Sequence, residues 1–123
     1  MPATTIQNGN RNMITKVTVP WTSDSSGDYT EDIVVPNGCV LRVVTDPEAD
    51  TAAPTDNYDL TILDEQGMDV CGGLGADRDT ANSEQFVPVI PTTTFPFAVG
   101  GTLTVTIAAA GDSKSGTVVI YIG

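Results

Sequence analysis

Strict alternation of apolar and polar residues in segment 101–109 is the feature that most constrains the fold of this 123-residue chain. Leu103, Val105 and Ile107 alternate there with three threonines. A period of two puts the apolar side chains on one side of an extended strand, so the segment predicts one buried face and one threonine-rich face. At least five segments share this period, and no window longer than ten residues has the spacing of an amphipathic helix.

Eight segments are predicted to be strands, and turn residues separate them about every ten residues. Pro36-Asn37-Gly38 predicts a hairpin turn between the second strand and the third, because Asn-Gly favours the twist that a hairpin requires. The expected fold is all-β, an antiparallel β-sandwich or jelly roll rather than a closed barrel. The predicted strands are 13–19, 29–35, 39–45, 58–63, 68–71, 85–90, 101–109 and 117–122.

The chain is predicted to have a polar arm, 1–12, and a single β-sandwich domain, 13–123. The arm has almost no apolar side chain to bury, so it is expected to be disordered or to dock on a neighbouring subunit. The predicted core consists of Val17, Val19, Ile33, Val35, Leu41, Val43, Leu60, Ile62, Leu103, Val105, Ile107, Val118 and Ile120.

The net charge of −11, from 16 acidic and 5 basic residues, argues against two classes of partner. Affinity for nucleic acid depends on Lys and Arg replacing counterions, and an acidic surface repels phosphate and anionic lipid alike. No apolar run reaches the roughly 18 residues of a membrane-spanning helix, and the N-terminus lacks the features of a signal peptide. We expect neither nucleic acid nor membrane to be a partner.

The chain contains no histidine, which excludes Ser-His-Asp and Cys-His catalysis and every histidine metal site. Cys39 and Cys71 lack zinc-binding spacing and are expected to be reduced thiols. The glycine-rich stretch 72–75 lacks the Lys-Ser/Thr of a phosphate loop. The sequence therefore predicts no catalytic residue, no cofactor and no enzymatic activity.

Acidic residues around the glycine-rich stretch leave a calcium site as an alternative to solvated loop charges. Carboxylates and loop carbonyls are the ligands that calcium prefers, but the spacing differs from that of an EF-hand loop. The candidate ligands are Asp64, Asp69, Asp77 and Asp79.

Segments 58–70, 72–78, 100–111 and 115–121 together resemble small virion proteins of tailed bacteriophages. The resemblance implies a capsid cement or decoration protein, made in the host cytoplasm, that binds the major capsid protein on the outer surface of the shell. It also implies contacts between copies, as dimers or trimers. Two alternatives are a tail or head-to-tail connector subunit, which would form rings, and a carbohydrate-binding host-adhesion module.

Contacts with partners are expected in the arm and in the acidic loops 46–56 and 72–84, because long polar connections on a rigid sandwich commonly carry binding. The candidate contact residues are Ile6, Asn8, Arg11, Trp21 and Arg78.

Overall fold

The computed structural model describes residues 4–7, 14–90 and 93–123, and the described chain is all-β, as predicted. One short 3-10 helix, Asp50–Ala52, interrupts the strands. The strands are β1 Thr5–Gln7, β2 Thr15–Thr22, β3 Tyr29–Pro47, β4 Asp59–Leu63, β5 Glu84–Phe86, β6 Ala98–Ala108 and β7 Ser115–Ile122.

The seven strands pair in one antiparallel order, β1-β2-β7-β3-β6-β4, with β5 beside β3, and the long strand β3 divides this order into two parts, which we call sheet A and sheet B. Sheet A contains β1, β2, β7, the second half of β3 and β5, whereas sheet B contains the first half of β3, β6 and β4. Alternate residues of both sheets point into a common core, which gives a sandwich-like architecture.

The hairpin turn predicted at Pro36-Asn37-Gly38 is wrong, because β3 continues through it along β6. The pairing shifts by one residue between Val35 and Gly38, which makes a β-bulge that accommodates the proline without ending the strand. Asn37 lies over Gly100, and a Cβ added at Gly100 would lie 2.2 Å from the side-chain oxygen of Asn37. Two predicted strands are therefore one 19-residue strand that passes from sheet B to sheet A.

A second one-residue bulge, between Val40 and Arg42, changes which residue of β3 enters the core. Val40 is fully buried there, while Leu41, a predicted core residue, is only half-buried. The prediction is wrong at Leu41 because it counted every second residue from Val43 as buried and did not allow for the residue that the bulge inserts. The other twelve predicted core residues are all buried.

The predicted strand 68–71 is also absent, and an irregular segment, 68–78, takes its place along β4. Its backbone makes hydrogen bonds to β4 and its neighbours, including Val70 N to Ile62 O and Leu60 N to Gly75 O, both at 2.8 Å. Gly75 permits this approach, since a Cβ there would lie 2.2 Å from Leu60 O. This edge-covering segment protects the outer edge of sheet B from pairing with another chain.

The predicted strand 85–90 is shorter than expected, because only β5 pairs with β3 before Pro88. The chain then leaves the sheet, and its described parts 87–90 and 93–97 form a protruding hairpin in which Ile90 N donates to Phe95 O at 2.8 Å. It returns to β3 where Val40 N donates to Phe97 O.

The described part of the arm lies on the sheet of its own chain. Ile6 in β1 pairs with Val17 in β2, and Thr4 Oγ1 donates a hydrogen bond to Glu31 Oε2 at 2.5 Å. The predicted boundary between arm and domain, at residue 12, lies outside the described residues and stays a prediction.

Candidate interaction face

The four predicted calcium ligands do not converge on a common site. Asp64 Oδ1 accepts hydrogen bonds from the backbone N–H groups of Gln66 and Met68, at 3.0 and 2.9 Å. The two carboxylate oxygens of Asp69 accept from Cys71 N and Gly73 N in the same way. These carboxylates therefore hold turns in place, a role that Asp side chains commonly have in loops.

The remaining two candidates lie further along the same loop. Asp77 is exposed, and the Asp79 carboxylate accepts hydrogen bonds from the backbone of Ala81 and the side chain of Asn82, which lower the pKa of Asp79. Within residues 4–7, 14–90 and 93–123, no group of three or more His, Cys, Asp or Glu side chains is placed to hold a metal ion.

Trp21, a candidate partner contact, is 1% exposed and belongs to the core. Its ring packs against Tyr58, with the two ring centroids 5.6 Å apart. Gly116 makes room for the indole, since a Cβ at Gly116 would lie 2.7 Å from the ring. The ring cannot reach a partner from this position. Alternation along β2 puts residue 21 on the same side as Val17 and Val19, which explains its burial.

Arg78, another candidate, has its charge compensated within the chain. Its guanidinium forms an ion pair with Glu84 at 3.5 Å and lies over the Phe86 ring, 5.6 Å from the centroid. Of the arm candidates, Ile6 is 42% exposed in β1, whereas Asn8 and Arg11 lie outside the described residues.

Both cysteines are free thiols, as predicted. Burial, reinforced by the Asp69 carboxylate, raises the pKa of Cys71, so this thiol is a packed side chain rather than a nucleophile.

The outward side of sheet A carries a surface that the sequence interpretation did not single out. Because β2, β7 and β3 pair in register, the outward side chains of these strands form rows across the sheet. Ile14 and Leu41 flank Gly123 at one end, since a Cβ at Gly123 would lie 3.4 Å from the first and 2.9 Å from the second. The sheet A outer face consists of Ile14 and Leu41, then Lys16, Tyr121 and Arg42, then Thr18, Val119 and Val44.

None of these eight residues is acidic, although the chain has 16 acidic residues. The first carboxylate along the face is Asp46, one row further, which accepts a hydrogen bond from Ser83 Oγ at 2.7 Å. In the part of the chain that the structure describes, the only ion pair is that of Arg78 with Glu84. Lys16 and Arg42 therefore lack a carboxylate partner there.

Arg42 is nevertheless held in position. Its guanidinium carbon lies 5.2 Å from the centroid of the Tyr121 ring, and its Nε donates to Gln85 Oε1 at 2.7 Å. A cation stacked on an aromatic ring keeps its other N–H groups available to an outside acceptor.

The outward side of sheet B has a different chemistry. Thr104 Oγ1 donates to Asp32 Oδ1 at 2.7 Å, so hydroxyl and carboxylate groups satisfy each other across the strands. The sheet B outer face consists of Thr30, Asp32, Val34, Asp59, Thr61, Leu63, Thr102, Thr104 and Thr106, with no cation among them.

The protruding hairpin is another exposed apolar area. Phe95 is 69% exposed, Val87 56% and Ile90 42%. These side chains lie beside the sheets and carry no charge.

No protein-family model matches the sequence, and no curated protein matches it with significance. Across the described residues, no helix is long and apolar enough to cross a membrane.

Proposed function

We propose that this chain is a non-enzymatic structural protein of a phage virion, a cement protein that binds the outer face of the major capsid protein lattice and stabilises the shell. The resemblance noted in the sequence is one support. The resembling segments correspond to β4 with its edge-covering segment, and to β6 and β7, which form much of the sandwich-like body.

The observation that carries the proposal is the sheet A outer face. In a chain with a net charge of −11, the eight residues of this face include no acidic side chain, and among the described residues neither Lys16 nor Arg42 forms an ion pair with a carboxylate. Interfaces are enriched in Arg and aromatic residues and depleted in acidic ones, so the composition of this face suits contact with protein. A protein with one such face is expected to bind its partner in one orientation.

The acidic remainder of the surface supports an outer position on the shell. The loops 46–56 and 72–84 carry many of the carboxylates, and packaged DNA would repel them at short range. A cement protein that presents these loops to solvent avoids that repulsion.

Co-sedimentation with shells of the parent virus that lack this protein tests the proposal. We expect saturable binding and a higher temperature of shell disruption when the protein is bound. A variant without residues 1–12 tests the predicted contribution of the arm and should bind more weakly.

Absence of binding to shells contradicts the proposal. Assembly of the free protein into rings of six or twelve would favour the connector alternative, and specific retention on a glycan array would favour the adhesion module.

A further inference from the structure

We infer that the sheet A outer face is the docking surface and that its partner is a protein surface presenting carboxylates next to apolar side chains. This inference rests on the proposed function and specifies its contact.

The two cations occupy one row of the sheet. Lys16 pairs with Tyr121, and Tyr121 pairs with Arg42, so the cations are two strand spacings apart. Adjacent strands lie about 4.8 Å apart, which puts the two Cα atoms about 10 Å from each other. A partner that engages both cations must therefore present acidic groups opposite this one row of the sheet.

Arg42 is already ordered for such a contact. Stacking on Tyr121 and the hydrogen bond to Gln85 fix its side chain before any partner arrives. Prior ordering reduces the entropy lost on binding, and the planar guanidinium can bind a carboxylate through two N–H groups.

Apolar side chains lie on both sides of the charged row. Ile14, 50% exposed, and Leu41 lie on one side, and Val119 and Val44 lie on the other. A purely polyanionic ligand would leave these side chains in water, so an acidic protein surface with apolar residues fits the face better. A second copy fits less well, because each copy has a charge of −11 and paired outer faces would bring their cations together.

Charge reversal with a matched control provides the test. Arg42→Glu, Lys16→Glu and Lys114→Glu all make the net charge more negative by two, but Lys114 lies elsewhere and donates to Thr51 O. We expect the first two variants to bind shells about tenfold to a hundredfold more weakly than wild type, and Lys114→Glu to bind within about twofold of it. Circular dichroism should show all three folded.

The chemistry of the partner is tested on the shells themselves. Amidation of the shell carboxylates with a carbodiimide and ethanolamine should abolish binding of wild type. Undiminished binding to amidated shells would contradict an acidic partner.

The outcomes separate this inference from the proposed function. If Arg42→Glu and Lys16→Glu bind shells as tightly as wild type, the docking face is overturned but the cement function is retained. If only Phe95→Ala loses binding, the contact lies on the protruding hairpin. Failure of wild type to bind shells overturns both. Dimers of wild type that become monomers in Arg42→Glu would show that a second copy covers the face.

Discussion

The two outer faces of the sandwich are built by the same alternation of residues but have opposite chemistry. The sheet B outer face is rich in threonine and contains Asp32 and Asp59, with a hydrogen bond between Thr104 and Asp32 across strands. The sheet A outer face contains Lys16 and Arg42, which form no ion pair with any carboxylate of the described residues. The carboxylates of the sheet B outer face accept hydrogen bonds from within the chain, whereas the sheet A outer face has cations that an acidic partner could neutralise.

The net charge of −11 is a poor description of how charge is distributed over this protein. Solubility depends on the total charge, but recognition depends on where the few opposite charges lie. Four predictions, three with a pair of variants and one with a single variant, test the difference between inward and outward positions and between the two faces.

The largest effect is expected within one strand of sheet B. Val105→Asp places an unpaired carboxylate at a position with no exposure, which should cost about 4 kcal/mol or more in the free energy of unfolding. Thr106→Asp, one residue on, points to the sheet B outer face and should cost less than about 1 kcal/mol. Urea denaturation measures both. Equal losses would mean that the strand does not separate core from surface.

The next effect concerns the second bulge of β3 in sheet A. Val43→Ala removes methyl groups from a fully buried position and should cost about 2 to 3 kcal/mol. Leu41→Ala should cost about 1 kcal/mol or less, because the bulge turns Leu41 towards the sheet A outer face. Thermal denaturation of the two variants decides the point, and the reverse order would place Leu41 in the core.

A pH effect is expected from Tyr58, which lies on the inner side at the edge of sheet B. Burial raises the pKa of Tyr58 to about 12 from an ordinary value of 10.0, so the folded state favours the neutral phenol. This stabilisation is complete below pH 10 and is lost as the pH rises through 12, a change on the order of 2 kcal/mol.

Tyr58→Phe has no proton to lose, so its unfolding free energy should fall less than that of wild type between pH 10 and pH 12. Burial and the Glu31 carboxylate also raise the pKa of Tyr29, but this residue is present in both proteins and cancels in the difference. Parallel pH profiles for the two proteins would contradict the prediction.

The smallest effects on stability are expected on the two outer faces. Arg42→Ala and Thr102→Ala should each change the free energy of unfolding by less than about 1 kcal/mol, since both side chains point away from the core. Their binding should differ, because only Arg42 belongs to the proposed docking face. Weaker shell binding by both variants, or by Thr102→Ala alone, would contradict the distinction between the faces.

Much of the fold could be predicted from the sequence because burial in a strand repeats every second residue. Leu103, Val105 and Ile107 in β6 are buried as predicted. Most errors in the strands lie where that period is interrupted, at the two bulges of β3, in the edge-covering segment and at Pro88 after β5. An inserted residue changes the side of every residue behind it, and a proline cannot donate to the ladder.

The candidate interaction face could not be predicted in the same way. Lys16, Arg42 and Tyr121 are far apart in the sequence, and each of them alone is an ordinary outward residue of a strand. Asp64 and Asp69, two of the candidate calcium ligands, use their carboxylates to hold the local backbone.

The amino-acid sequence by itself determined that this chain is a β-protein with one apolar core, without histidine chemistry and with a strongly acidic surface, since these properties follow from composition and local periodicity. The tertiary structure decided that β3 joins both sheets and that Lys16, Tyr121 and Arg42 form one row. Strand order and register depend on hydrogen bonds between distant segments, and local pattern does not specify which segments pair.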